Sequence, residues 1–276
     1  MPINKFCRYF FIKKFGKSFF FLICINLTNC IPMKKLLYLF AFLMVVLSSC
    51  TSDNDDTSSP VLLTRYVETL EDGSTFTMNF NYNGNKLLGS TGDFNSSTTV
   101  TYTGNLITKI EYFRAGTLTQ ENIYQYNSND KLINSKRNEY SSSGNYGTSV
   151  DYTYNTDGTV SFSKYSGDLD IPLTLSSEGY FTFDSQGRVT SVIHDNGYEE
   201  TFTYDTKNSP YKNILGMDKL PFEMDYANNF VNNFLSRNDT YSGSDFTLTY
   251  NSSDYLISEI EDDGEEITTT QYYYNN

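Results

Sequence analysis

One unit recurs along most of this sequence and limits what the chain can become. A stretch of alternating polar and apolar residues ends in an aromatic side chain. A turn of Asn, Asp, Ser or Gly follows, and a second stretch opens with Leu, Ile or Val. The instances are Tyr82-NGNKLL, Tyr102-TGNLI, Tyr126-NSNDKLI, Tyr154-NTDGTV, Phe183-DSQGRV and Tyr250-NSSDYLI; Tyr204-DTKNSP begins alike and then departs. The seven anchors Tyr82, Tyr102, Tyr126, Tyr154, Phe183, Tyr204 and Tyr250 lie 20, 24, 28, 29, 21 and 46 residues apart. Each regular interval holds two strands and two turns. From Thr75 to Tyr82 the apolar residues Phe76, Met78, Phe80 and Tyr82 alternate with polar ones, a period of two that marks a strand with one wet face. Phe202–Tyr204 and Phe246–Tyr250 repeat the pattern. Tyr, Phe and Thr suit such half-buried pleated surfaces. The turn residues tolerate the positive φ of tight hairpins.

Repetition at this period signals an array of identical supersecondary units. With a hairpin as the unit, the expected fold is all-β, an antiparallel up-and-down meander of about fourteen strands of five to seven residues. An open sheet of that width would leave edges that template aggregation, so closure into a barrel or curling around the aromatic face is expected. The long interval after Tyr204 is an insertion. Ser209-Pro210 resembles an N-cap followed by proline at the first helical position, which predicts one or two helical turns over 211–215. Residues 228–235 (NNFVNNFL) are a second helix or strand candidate. Strands this short, with a Thr, Asn and Ser face, do not read as membrane-spanning, which takes about 9–11 residues and an apolar outer band.

The N-terminal region has a different character. Met33-Lys34-Lys35 precedes the apolar run Leu36–Leu47, and Leu47-Ser48-Ser49-Cys50 closes it. Twelve apolar residues are too few for a transmembrane helix of about 20 but suit a signal peptide. The arrangement looks like a bacterial lipobox, with Cys50 as the lipid-attachment residue. Residues 1–32 are basic and Phe-rich and read as an upstream extension before a true start at Met33. The expected organisation is 1–32 extension, 33–49 signal peptide, 50–60 lipidated Cys and flexible tether, and 61–276 repeat domain. Cys7, Cys24, Cys30 and Cys50 are the four cysteines, so the mature chain holds no internal disulfide. Seven of the twenty Lys and Arg precede Cys50 and no acids do. The mature part therefore has thirteen bases against thirty-three acids, a net charge of −20. Phosphate backbones repel such a chain, which excludes nucleic acid as a partner.

Two resemblances follow from these motifs. Phe181-Thr-Phe183-Asp-Ser-Gln-Gly187-Arg188-Val189 and Tyr152-Thr-Tyr154-Asn-Thr-Asp-Gly158-Thr-Val160 resemble YD (RHS-type) repeats. The lipobox, acidic tether, degenerate repeats and the phrase Tyr204-DTKNSPYKN-Ile214 together resemble a family of Bacteroidota lipoproteins of unknown function. That resemblance covers about 61–276 and implies a porin-like β-barrel; it implies no activity and no catalytic residues. Asp53, Asp55 and Asp56 resemble the acidic patch with which such lipoproteins are sorted to the outer surface of the outer membrane, the periplasmic face being the alternative.

Little chemistry is legible. His194 is the single histidine and reads as a partly exposed strand residue, with Asp195 facing the other way. Glu199 and Glu200, and the cluster Glu261, Asp262, Asp263, Glu265 and Glu266, are the carboxylates to weigh for glycoside hydrolysis, which needs two about 5–10 Å apart across a cleft. Both groups flank expected hairpin turns. Asn155–Gly158 and Asn127–Asp130 resemble fragments of calcium loops but lack the further ligands. No cofactor or metal is expected. The expectation is a non-enzymatic, monomeric lipoprotein of the outer membrane, structural or binding an extracellular glycan, peptide or small apolar ligand. The alternative is a carboxylate-dependent surface hydrolase using Glu199 or a similar residue.

Overall fold

The computed structural model describes residues 59–275. Cys50, Asp53, Asp55, Asp56 and the leader lie outside the described residues. Sixteen strands form one closed antiparallel barrel. They are β1 (Leu63–Thr69), β2 (Thr75–Asn83), β3 (Lys86–Gly92), β4 (Ser96–Thr103), β5 (Leu106–Arg114), β6 (Thr117–Tyr126), β7 (Leu132–Ser141), β8 (Gly144–Tyr154), β9 (Val160–Asp168), β10 (Thr174–Phe183), β11 (Val189–His194), β12 (Glu199–Tyr204), β15 (Phe234–Asp239), β16 (Gly243–Tyr250), β17 (Leu256–Asp262) and β18 (Ile267–Tyr274). A separate hairpin, β13 (Phe222–Glu223) and β14 (Tyr226–Ala227), lies within the insertion. Every barrel strand pairs with its chain neighbours. The barrel closes where β1 pairs with β18. The strands are more numerous than the expected fourteen and run from six to eleven residues, because tight turns at both ends leave more chain for pairing.

The alternation sets which side faces in. Tyr66 lies opposite Met78 on one neighbour and Tyr272 on the other, so these side chains share the inner face with Phe80 and Tyr82. Thr75, Asn79 and Asn81 point outward and are exposed. Outward-facing polar pairs recur around the wall: Thr99 Oγ1 donates to Glu111 at 3.2 Å, Asn134 Nδ2 to Asp151 at 2.8 Å, and Asn138 Nδ2 and the Tyr140 hydroxyl to Glu121 at 2.8 and 2.7 Å. Several strands reach a spanning length, so length does not distinguish this barrel from a membrane barrel; polarity does. A membrane barrel is apolar outside, and a mid-strand cation on its lipid face costs about 2–4 kcal/mol. Here Lys136 takes such an outward position mid-strand, alongside Glu111, Asp151 and Asp245.

The anchors act together. The end of the barrel that carries them is here called the anchored end. Each far-end hairpin leaves two loose ends there, and a tyrosine hydroxyl clamps them. Tyr82 at the end of β2 donates to Leu63 O at the start of β1 (2.7 Å). Tyr126 donates to Ile107 O (2.8 Å), Tyr154 to Leu132 O (3.1 Å) and Tyr274 to Leu256 O (2.5 Å). The Tyr102 hydroxyl accepts the Leu87 N–H at 3.1 Å. Alternation alone faces each ring inward. Opposite Tyr82, Tyr102, Tyr126, Phe183, Tyr204 and Tyr250 the following strand carries one extra residue. This β-bulge brings that strand's first apolar residue, such as Leu87, Ile107 or Leu132, into the core beside the ring. The turn after the ring is held by its first residue: Asn127, Asp184 and Asn251 each accept two backbone N–H groups at 2.8–3.1 Å.

The insertion is a plug, and it holds no α-helix. The predicted helical turns over 211–215 are successive tight turns, opened by the Ser209 hydroxyl accepting the Tyr211 N–H at 3.3 Å. They lead to a single 3-10 turn at Met217–Lys219. Of the second candidate, 228–233 is irregular and Phe234 begins β15. Buried polar contacts with the barrel wall override the weak helical signal: Leu215 N bonds to Asn85 O (2.9 Å) and the Tyr102 hydroxyl to Leu215 O (3.2 Å). Ile214, Met217, Leu220, Phe222 and Met224 are all buried inside the barrel. Phe222 stacks on Phe181 at 4.5 Å and lies 4.8 Å from the Tyr152 ring. Asp205 closes the neck: its carboxylate accepts Asn233 N and Nδ2 (3.0 and 2.8 Å) and the Tyr250 hydroxyl.

Removing one clamp tests the role of the anchors. Tyr126→Phe keeps the ring and leaves Ile107 O without its donor. The expected loss is about 1–2 kcal/mol, seen as a lower urea midpoint with an unchanged slope.

Candidate functional site

Between the plug tip and the far end, the inner face changes from aromatic to polar. The plug tip forms a floor, and ion pairs fix it. Asp225 takes Lys164 Nζ at 2.9 Å through both carboxylate oxygens. Glu223 faces Arg137 at 3.6 Å and accepts Asn122 Nδ2. Burial pushes the Glu223 carboxyl above its ordinary range, with Arg137 opposing the shift. Tyr152 donates to Met224 O at 2.7 Å.

Two recesses lie above this floor. The first, about 330 Å³, is bounded by Tyr226, Glu200, Arg237, Asp239 and Ser244. The Tyr198 hydroxyl beside it lies 3.1 Å from both Glu200 and Asp239. The second, about 300 Å³, is formed by Tyr66, Glu68, Tyr211, Glu259, Glu261 and Tyr272. Arg237 reaches Glu261 at 3.4 Å and separates the two. In the second recess the strands place the acids by register. Thr270 pairs with Glu68 on one side and Glu259 on the other, which sets the two Glu backbones about 9–10 Å apart. One register step toward the plug, Tyr66 and Tyr272 lie side by side with ring centroids 6.5 Å apart. Burial, then the neighbouring Glu261, pushes the Glu259 carboxyl up to about 7. Tyr272 donates to Glu259 across 3.5 Å. A third cavity, about 460 Å³, lies at the anchored end between the plug and the turns, with Lys131, Tyr154, Phe183, Lys219 and Phe222 around it.

The sequence-derived candidates are distributed as follows. Glu199 points outward and is exposed, while Glu200 points into the first recess; as strand neighbours they face opposite sides and share no cleft. Glu261 enters the second recess, whereas Asp262 and Asp263 hold turn N–H groups at 2.8–2.9 Å, those of Gly264, Glu265 and Glu266. His194 is partly exposed on the inner face, edge-on to Phe162 and Tyr198, with Nδ1 3.0 Å from Ser177 Oγ. No carboxylate bonds its other nitrogen among the described residues, so no triad is assembled. Asn155 and Asn127 serve their turns. Among the described residues no three acids, His or Cys converge on a metal position.

Sequence reasoning missed Glu68, Glu259 and Tyr211 as chamber residues, and Tyr274 as an eighth anchor. The Tyr274 signal was present, since Tyr272-Tyr-Tyr274-Asn275 repeats the anchor phrase. Asn275 continues the pattern by bonding Leu62 N through Oδ1 at 2.9 Å.

No family model matches the chain, and no curated protein matches it. Among solved structures it is similar to a porin-like protein from Bacteroides uniformis, with 13% identity over 78% of this chain and 99% of that one and a TM-score of 0.42. It is also similar to part of a Tc holotoxin pore from Photorhabdus luminescens, with 11% identity over 75% of this chain and a TM-score of 0.27; the match spans 13% of that chain. At this level the likeness implies nothing about ligand or activity.

Glu259 makes stability depend on pH. Its folded value of about 7 lies above its ordinary 4.5, so between those limits the native state holds a proton that the unfolded chain has released. Stability is therefore fullest below the window and falls as pH rises through it. Glu259→Gln is expected to match the parent near pH 4 and to exceed it by about 1–3 kcal/mol at pH 8, as read by urea unfolding at the two pH values.

Proposed function

We propose that this chain is a non-enzymatic lipoprotein of the outer membrane, anchored through Cys50, whose barrel is a one-ended cup for an extracellular ligand. The observation that carries the reading is the inverted polarity of the barrel together with its plug. A wall with Lys136, Glu111 and Asp151 outward is a water-facing wall, so a lipid supplies the membrane attachment. A lumen filled by Phe222, Met224 and Leu220 offers no passage for solute. What remains is a chamber above the plug, with carboxylates, hydroxyls and tyrosine rings on its wall. Hydroxyl-rich ligands such as glycans match that lining, because carboxylates accept their hydroxyls and ring faces cover their apolar sides. The acids Asp53, Asp55 and Asp56 favour display on the cell surface. Three acyl chains on Cys50 make a stable anchor, where one gives only marginal binding.

A hydrolase is the second reading. One observation favours it: Glu259, whose carboxyl burial raises to about 7, shares one recess with Glu68, and paired carboxylates across a cleft are what glycoside hydrolysis uses. Incubating polysaccharides with the protein and with Glu259→Gln tests it; unchanged digests in both exclude it.

Cys50→Ser is expected to move the protein from the membrane fraction to the soluble fraction and to abolish palmitate labelling, without changing the barrel. Protease added to intact cells is expected to degrade the parent protein if the barrel faces outward. A screen of polysaccharides, peptides and lipids against the detergent-solubilised protein tests the cup itself, and binding by none of them excludes it.

A further inference from the structure

We propose that the recess between β1, β17 and β18 binds the primary ammonium group of its ligand, held between Glu68 and Glu259 above Thr270. This rests on reading the barrel as a cup and names the chemistry of what the cup holds.

The charge pattern inside the chamber points to a cation. Five acids on its walls and floor face bases or hydroxyls: Asp225 has Lys164, Glu223 has Arg137, Glu261 has Arg237, and Glu200 and Asp239 share the Tyr198 hydroxyl. Glu68 has no polar partner among the described residues, and Glu259 has only the Tyr272 hydroxyl at 3.5 Å. Burial of the Glu259 carboxylate without a cation is costly. With Glu68 beside it, two carboxylates without a base line one cavity of about 300 Å³, a site that a cation would complete.

A second observation is independent of the acids. Tyr211, at the base of the recess, has no hydrogen-bond partner for its hydroxyl among the described residues. Its ring lines the cavity and protein surrounds it otherwise; that burial drives the hydroxyl far above its ordinary pKa. A hydroxyl with no protein partner at the base of a recess is a ready contact for a donor or acceptor on a ligand. Tyr66 and Tyr272, whose rings tilt 60° to each other, present faces that favour a cation by their quadrupoles.

Geometry separates an organic cation from a metal ion. The Glu68 and Glu259 backbones stand about 9–10 Å apart across Thr270, and no three such side chains meet at one point among the described residues. A metal needs oxygens at about 2.0–2.6 Å. An ammonium group has three donors and bridges two carboxylates through hydrogen bonds while its carbon chain lies against the tyrosines. Both alkylamines and amino sugars carry this group.

Full-length protein in detergent is titrated calorimetrically at pH 8 with cadaverine, glucosamine and glucose. The expected result is one-site binding of cadaverine or glucosamine, with glucose silent; which amine binds distinguishes the two sources. Glu259→Gln and Glu68→Gln, each with an unchanged circular dichroism spectrum, are expected to weaken that binding roughly tenfold or more. Tyr211→Phe is expected to weaken it less. Equal binding of glucose and glucosamine overturns the proposal, as does amine binding undiminished in both Gln variants. If neutral oligosaccharides bind and neither amine does, the ammonium assignment falls and the cup stands. If no ligand of any class binds, both fall.

Discussion

The barrel depends on one hydrogen bond repeated around its anchored end, from a tyrosine hydroxyl to a backbone group at the start of the preceding strand. A hairpin is fixed at its turn and frays at its open end. In a sixteen-stranded ring every second junction at the anchored end is such an open end. The clamps at Tyr82, Tyr102, Tyr126, Tyr154 and Tyr274 close five of them. Each bond costs the chain nothing in loop length, because ring and carbonyl lie on adjacent strands. The bulge opposite the anchor is part of the device: without the extra residue on the following strand, Leu87, Ile107 or Leu132 would leave the inner face, since a slip of one residue exchanges the two faces.

Where the clamp is missing, the plug takes its place. Phe183 has no hydroxyl, and its ring lies 6.1 Å from Phe222 of the plug. Tyr250 turns its hydroxyl to Asp205 at the neck of the insertion. The Tyr204 hydroxyl is buried without a partner, with Arg188 over its ring at 4.9 Å and Phe234 at 5.0 Å. The three irregular junctions are therefore neighbours on the side from which the insertion leaves β12 and returns to β15. The aromatic belt and the plug form one packed layer: the belt supplies the rim, and Ile214, Leu220 and Phe222 fill what sixteen strands leave empty.

These relations explain what the sequence discloses. The period of two and the recurring turn residues are local signals, so the all-β class, the hairpin unit and the closed meander are legible from Thr75–Tyr82 and its repeats. The anchors are legible as well, because a turn and its flanking ring are contiguous. The insertion is not. Ser209-Pro210 resembles a helix start, but the fate of 211–215 is decided by Asn85 and Tyr102, more than a hundred residues away in sequence. The chamber is hidden for the same reason. Glu199 and Glu200 look equivalent until the strand turns one outward and the other in. Glu259 looks like any acid near a turn until Thr270 sets it across from Glu68. The leading inference from the turn acids holds for Asp262 and Asp263 and fails for Glu261, since it lies one residue deeper on the strand and parity carries it inward.

The plug also decides which part of the chamber is electrostatically incomplete. Its tip delivers two carboxylates, and Arg137 and Lys164 on β7 and β9 receive them. That pairing satisfies one side of the lumen and uses up the bases there. The recess on the opposite side, between β1, β17 and β18, is lined by one plug residue, Tyr211, which carries no charge to offset Glu68 and Glu259. An interior that were only structural would be more stable with Gln at Glu259, because that carboxylate loses hydration and gains no cation. Burial that holds Glu259 near neutrality is a stability cost at alkaline pH, offset elsewhere by the belt. The cost is confined to the wall that the plug leaves uncovered, where a ligand entering from the far end would meet it.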